Sequence, residues 1–404
     1  MAVPTDTRPA VAGVTDDEFI ERARSLQPLA REASDEADET RHLPARVAEA
    51  MAAAGLFRVA APPSYGGAGA APRTQMRVIE LLSEADGAAG WNLMIGMESF
   101  GLICLTFERG AELFADPMTL ICSSTASVGE AVKVDGGYKV TGQWQFVSGA
   151  HNARWFGGMV FLNDGGHRTR ERPVYAFAPL GDYEILDTWH TVGMRGSGSH
   201  DVRLDEVFVP DDHIAIPTRP WLTKLYAESP ALRIPSGARL SYNKVGVALG
   251  VARAAIDEFV ALAEGKTPRF GTEKLRERPS AQRAVALAEV RLRAVRALMY
   301  ELVDQLWADV LAGREMSDKE RAFFQIASSD AAKGCIEAVD RVVEAAGTTP
   351  NFIGAPLERR SRDIKVVGTH ITVAPQHLED GGRVLLGLEP TSFFFNQLGA
   401  SASR

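Results

Sequence analysis

Apolar positions along the chain follow a helical period, then a strand period, then a helical period again. T-D-D-E-F-I-E carries a capping-box pattern in Thr15 and Glu18 and predicts a helix start. Pro44 and Gly55 bracket a second helix, with Val47, Met51 and Ala54 as its apolar stripe. A turn-rich link, A-P-P-S-Y-G-G-A-G (61–69), precedes helical sequence that reaches about Glu112. From about Thr119 the runs shorten to strand length: T-L-I-C-S-S, E-A-V-K-V, Y-K-V-T, Q-W-Q-F-V, M-V-F-L, P-V-Y-A-F-A-P and Asp201–Pro210. Asp135-Gly136-Gly137 reads as a hairpin turn. Strands at this spacing, without intervening helices, predict a small antiparallel barrel or sandwich. After Pro235 four helical blocks follow, opening at Ser236, Pro279, Lys319 and Leu357. The last runs to about Val373, and the set predicts a four-helix bundle.

The expected class is therefore α+β. Residues 1–14 read as a disordered lead, 15–118 as an N-terminal helical domain, 119–215 as a middle β domain and 232–404 as a C-terminal helical bundle. A chain of 404 residues suits such a division. Ligand sites in such a chain usually sit where domains meet.

Composition removes several classes of function. A net charge of −8 without a basic run argues against nucleic acid and anionic membrane as partners. Cys104, Cys122 and Cys335 are odd in number and lack C-x-x-C spacing. They predict neither a disulfide framework nor a zinc site, no metal is expected, and a reducing cytoplasm suits them. The N-terminus lacks a basic segment followed by an apolar run, so no signal peptide is expected. The longest apolar run, Val245–Ala252, is too short to span a bilayer.

Candidate chemistry is sparse. V-G-M-R-G-S-G-S-H (Val192–His200) is glycine-rich but precedes a strand, so it lacks the phosphate-cradling geometry of a nicotinamide fingerprint. Redox chemistry would need a cofactor bound in another way. G-Q-W-Q-F-V-S-G (Gly142–Gly149) ends a strand in Ser-Gly after two aromatic residues. It is either core plus turn, or a platform for a flat heterocycle. P-R-F-G (Pro268–Gly271) is a weak signal alone, as are His151, Trp189, His190 and His200 in loops. His370 has no ionisable neighbour within four residues on either side, and a lone imidazole in an apolar helix is ordinarily a core residue.

Together these segments resemble the acyl-CoA dehydrogenase superfamily over nearly the whole chain. P-S-Y-G-G-A-G resembles its P-x-x-Y-G-G-x-G, and Y-K-V-T-G-Q-W-Q-F-V-S-G resembles its Y-x-x-x-G-x-K-x-W-I-T-N. V-G-M-R-G-S-G-S-H-D-V-R-L-D-E-V-F-V-P resembles its M-G-x-R-G-S motif with the downstream V-P, and R-F-G resembles its R-x-x-F-G. V-V-E-A-A-G-T-T-P stands where that family has Q-x-x-G-G-x-G. The resemblance implies a three-domain subunit, a bound flavin and a homotetramer.

Two departures separate the chain from the common dehydrogenases. Laid on Arg362-Asp363-Ile364-Lys365, the family's Y-E-G puts tyrosine on His370 and the catalytic glutamate on Ile371, which cannot accept a proton. I-C-S-S-T-A-S-V-G (Ile121–Gly129) replaces the family's T-E-P-x-A-G-S-D. Both departures match the flavin-dependent monooxygenases of this fold, which include oxygenase components of two-component phenol hydroxylases, thiophene-sulfur monooxygenases and amino-sugar N-oxygenases. That resemblance implies reduced flavin (FADH2 or FMNH2) from a separate NAD(P)H:flavin reductase, with O2 adding at flavin C4a. It implies Ser148 at flavin N5 and His370 facing flavin and substrate, where it either bonds the flavin-bound oxygen or takes a substrate proton. Trp144, Phe146, Ser123, Arg269 and Phe270 become expected flavin contacts, Arg269 at the phosphate across a subunit interface. Trp91, Asn92 and Phe393 are expected at the substrate. An acyl-CoA dehydrogenase with a displaced base, Glu258 or Glu264, stays open as the second reading, and a flavin-binding protein without turnover as the third.

Overall fold

The computed structural model describes Val11, residues 13–392 and Phe395; Phe393 and most of the lead 1–14 lie outside the described residues. The first helices are α1 (Asp16–Glu32), α2 (Ser34–Thr40) and α3 (Ala45–Ala53). They lead to α4 (Pro72–Ala85), α5 (Gly87–Ile103) and α6 (Gly110–Leu113). Thr15 and Glu18 form the expected capping box on α1. Pro44 stands one residue outside α3, and Gly55 follows it at φ +73°, the left-handed conformation that ends helices. Asp86 caps α5, its side chain accepting from Ala89 N at 2.7 Å. α5 is apolar nearly all round and correspondingly buried on nearly every face.

The strands are β1 (Ile121–Val134), β2 (Gly137–Trp144), β3 (Trp155–Asp164) and β4 (His167–Arg168), then β5 (Val174–Pro179), β6 (Glu184–Leu186), β7 (Asp201–Pro210) and β8 (Ile214–Ala215). They form one sheet in the order β6-β7-β2-β1-β3-β5-β8, with β4 on β3. The expected hairpin turn joins β1 to β2, with Val134 opposite Gly137. The purely antiparallel arrangement expected from spacing is not observed, because β1 and β3 pair in parallel. After β2, residues 145–154 carry the chain back across the sheet, so β3 enters beside β1 in the same direction. Consecutive short strands do not reveal that crossover.

Helices α7 (Arg219–Glu228), α8 (Ser236–Gly265), α9 (Pro279–Ala312), α10 (Asp318–Ala345), α11 (Pro356–Gly368) and α12 (Gln376–Leu385) complete the fold. α8 packs against α4, α5, α9, α10 and α11. Gly250 permits its close approach to α4: a Cβ there would stand 2.3 Å from the Glu80 carbonyl oxygen. α11 ends at Gly368, not near Val373 as the apolar run suggested. His370 therefore sits in the following turn, where its backbone N donates to Val367 O at 3.2 Å and its own O accepts from Val373 N at 3.0 Å. β-branched residues continue the hydrophobic pattern through that turn without continuing the helix.

Candidate active site

The site is assembled from the loop after β2, the loop before β7, the first half of α5 and the turn after α11. Trp144 ends β2 with its ring fully buried, and its Nε1 donates to Met159 O at 3.0 Å. Its indole belongs to the core of the sheet and touches Phe156, so it is not a wall of the cleft as expected. Strand alternation explains the correction: residues two apart share a face only while the backbone stays extended, and at Phe146 it does not, so the two rings part. Phe146 has φ +59°, a left-handed conformation rare for an aromatic residue. Its ring is thrown outward, 60% exposed, and meets Trp189 edge-on with centroids 6.3 Å apart. An exposed aromatic ledge held by a strained backbone fits a flat heterocycle lying over it.

Ser148 lies just beyond that ledge, and it is buried. Its loop is clamped to the segment before β7: Val147 N donates to His200 O at 3.0 Å, and Gly149 N donates to Ser197 O at 3.2 Å. Three hydroxyls form a chain, Ser148 to Ser199 at 2.7 Å and Ser199 to Ser197 at 2.7 Å. Trp91, on α5, donates Nε1 to Ser148 Oγ at 3.1 Å. The same indole stands edge-on to His370, with ring centroids 5.5 Å apart. One side chain thus bridges Ser148 and His370, which are distant in sequence.

Asn92 is engaged by the backbone: its Nδ2 donates to Ala88 O at 2.9 Å and to Gly196 O at 3.2 Å. It ties α5 to the glycine-rich loop. Ser123, on β1, meets the far half of α5, its Oγ 3.4 Å from Ser99 Oγ. Ser99 is eight residues beyond Trp91, which places Ser123 about 12 Å along the helix axis from the Trp91–Ser148 contact. Arg269 and Phe270 join none of these groups within the subunit. Arg269 lies 4.9 Å from the Phe270 ring centroid, and that ring is 96% exposed at φ +62°.

Sequence reasoning missed how the halves are locked together. Asp363 of α11 is buried and accepts from Met194 N at 2.6 Å, while Arg362 donates to Val192 O at 2.7 Å. The Arg-Asp pair thus clamps α11 to the loop that carries Trp189 and the serines. Burial, reinforced by nearby Asp86, pushes the Asp363 carboxyl up to about 7. His200 supports the same loop, its Nδ1 accepting from Thr188 N and Trp189 N, each at 3.2 Å.

A second missed feature is charged. Lys244 of α8 donates to Glu98 of α5 at 2.5 Å, and Asn243 Nδ2 donates to the same carboxylate at 3.0 Å. All three side chains are buried. Burial pushes His370 down to about 3, and the Lys244 charge adds to the shift. A neutral imidazole is therefore the form this site holds at neutral pH. The two proposed replacement bases are elsewhere: Glu258 accepts from Arg360 Nε at 3.0 Å near the start of α11, and Glu264 is exposed near the end of α8.

Comparison with known proteins shows the family of the chain. Residues 17–107 match the family described as acyl-CoA dehydrogenase, N-terminal domain, and residues 243–375 match acyl-CoA dehydrogenase, C-terminal domain. The indole-3-acetate monooxygenase of Pseudomonas putida is 32% identical over 356 residues, covering 88% of this chain and 90% of that one. The oxygenase component of the FADH(2)-dependent resorcinol hydroxylase of Rhizobium sp. MTP-10005 is 28% identical, covering 96% and 97%. The crystal structure of XiaF from Streptomyces sp. in complex with FADH2 and glycerol superposes with a TM-score of 0.83, at 25% identity and 96% and 99% coverage. The chain belongs to the acyl-CoA dehydrogenase superfamily. Within it, the chain is a flavin-dependent monooxygenase that uses reduced flavin.

Proposed function

We propose that the chain is the oxygenase component of a two-component system that hydroxylates an aromatic or other small organic substrate. The observation that carries this reading is Trp91, which joins Ser148 on the aromatic ledge to His370 across the cleft. The balanced reaction converts substrate, O2 and reduced flavin into hydroxylated substrate, water and oxidised flavin. Reduced flavin, FADH2 or FMNH2, supplies the two electrons that activate O2. A separate NAD(P)H:flavin reductase regenerates it. The named resorcinol hydroxylase is itself an oxygenase component.

The residues divide the work. Phe146 would pack against the flavin ring, and Ser148 would offer it a hydrogen bond. Ser148 Oγ already accepts from Trp91, so its own proton is free for the cleft when Ser199 donates to it. The Trp91 ring and the buried surface of α5 exclude water from the reacting centre, which limits loss of reducing equivalents as peroxide. His370 provides the polar contact opposite Ser148. Arg269 and Phe270 reach the flavin of a neighbouring subunit in a homotetramer. Their exposure supports that reading, since a 96% exposed phenyl ring gains from being covered. Trp91 contributes to the substrate wall, and Ser123 to the flavin.

We also infer that the sheet curls into a barrel, that α8–α11 form a four-helix bundle, and that the chain divides near residues 118 and 215–232. Among the described residues no helix is long and apolar enough to cross a membrane. The cytoplasm, where the reductase and its nicotinamide are found, is the proposed location. Indole-3-acetate and resorcinol are the first substrates to test. Purified protein given chemically reduced flavin and O2 should yield a hydroxylated product from a small aromatic without any reductase present. Absence of any oxygenated product, with all reducing equivalents lost as peroxide, would contradict the reading.

A further inference from the structure

His370 could serve the cleft in two opposite ways, as a donor or as a base, and the difference lies in which ring nitrogen carries the proton. Nδ1 lies within reach of two groups of one residue. The backbone N of Thr372 donates to it at 3.3 Å, and Thr372 Oγ1 lies 3.0 Å away. A backbone N–H cannot reverse its direction, so the atom it points at must offer a lone pair. Thr372 Oγ1 also donates to Leu240 O at 3.3 Å, so the hydroxyl proton has two acceptors and the backbone N–H alone fixes the lone pair on Nδ1. Thr372 itself is fixed, because Ser241 Oγ donates to Thr372 O at 3.1 Å. The other ring nitrogen, Nε2, meets no hydrogen-bond partner among the described residues. Ring protonation at both nitrogens would set a Nδ1 proton against the Thr372 N–H, in a half-buried site near the Lys244 cation.

We propose that Thr372 is a positioning residue that holds His370 as the neutral Nε2–H tautomer, so that the ring presents a hydrogen-bond donor to the cleft and not a base. The proposal rests on the reading that His370 faces the reacting centre. It narrows that reading: His370 stabilises negative charge on an oxygen in the cleft, and the substrate's proton must leave by another route.

The test uses full-length, flavin-bound protein with ring-15N histidine, and assigns His370 by the resonances lost in His370→Gln. The expected spectrum shows a pyridine-like Nδ1 and a pyrrole-like Nε2 that stay unchanged across neutral pH. Thr372→Pro, which removes the backbone N–H, should mix the two tautomers and lower product formed per reductant about fivefold, with flavin affinity unchanged. Thr372→Val, which keeps that N–H, should keep the tautomer. A pyrrole-like Nδ1 in the unaltered protein overturns the proposal, as does a Thr372→Pro variant with unchanged tautomer and coupling. If that variant does not fold, the unaltered protein's spectrum alone decides. Absence of any oxygenated product from the unaltered protein would instead overturn the oxygenase reading, and the tautomer would still be read.

Discussion

The Ser148 loop and the His370 turn face one cleft and are built in opposite ways. Around Ser148 the partners are neutral: two further hydroxyls, an indole N–H and backbone groups of residues 197–200. Around His370 the surroundings are charged and deep, with the buried Lys244–Glu98 pair behind it. Hydroxyls can donate or accept without changing charge, so the first side adapts to a cofactor that changes redox state. The second side fixes one state of one ring. Low dielectric and a nearby cation suppress an imidazolium, and Thr372 selects among the neutral forms.

The comparison predicts a larger effect on the fixed side. His370→Ala should lower product formation on the order of a hundredfold, as loss of a donor at a reacting oxygen does, with hydrogen peroxide taking the product's place. Product and peroxide assays on the same samples check this. Phe146→Ala should raise the flavin dissociation constant about threefold to tenfold, read by flavin fluorescence. Ser148→Ala should lower coupling about fivefold, less than His370→Ala, because Ser197, Ser199 and Trp91 remain to rearrange. Equal losses from the serine and histidine variants would erase the distinction between the sides.

The smallest effect is on stability. The folded protein disfavours protonated His370, whose value falls from an ordinary 6.5 to about 3. Below 6.5 the unfolded chain binds a proton that the fold refuses, so stability falls as pH drops from 6.5 toward about 3. His151, lowered to about 4 by burial and then by His42, acts in the same direction. Asp363, raised from 3.8 to about 7, acts oppositely: its contribution is present below 3.8 and is lost as pH rises through about 7. Thermal melts should show a shallower acid slope in His370→Gln than in the unaltered protein. Parallel slopes would mean that the imidazole is not buried as described.

Much of this was legible in the sequence. The helix starts, the hairpin turn and the return to helix at Ser236 follow from caps, turn residues and period. Register against the R-D-x-K motif put His370 beside the lost glutamate, and the structure brings that turn to Trp91. What stayed hidden depends on backbone direction. Trp144 and Phe146 look equivalent in composition, yet the left-handed backbone at Phe146 sends one ring out while the other fills the core. The Lys244–Glu98 pair joins helices 146 positions apart, and neither residue is unusual in its own segment. The β1–β3 parallel pairing and the Thr372 contact were likewise invisible, one because it needs a crossover and the other because threonine in a turn is ordinary.

The central claim is that this cleft transfers oxygen and does not remove hydrogen from an acyl thioester. The most direct measurement supplies the protein with chemically reduced flavin, 18O2 and, in turn, indole-3-acetate and resorcinol, and weighs the products. One 18O atom per product molecule is the predicted result. Products without the label, together with anaerobic bleaching of the bound oxidised flavin by an acyl-CoA, would contradict it.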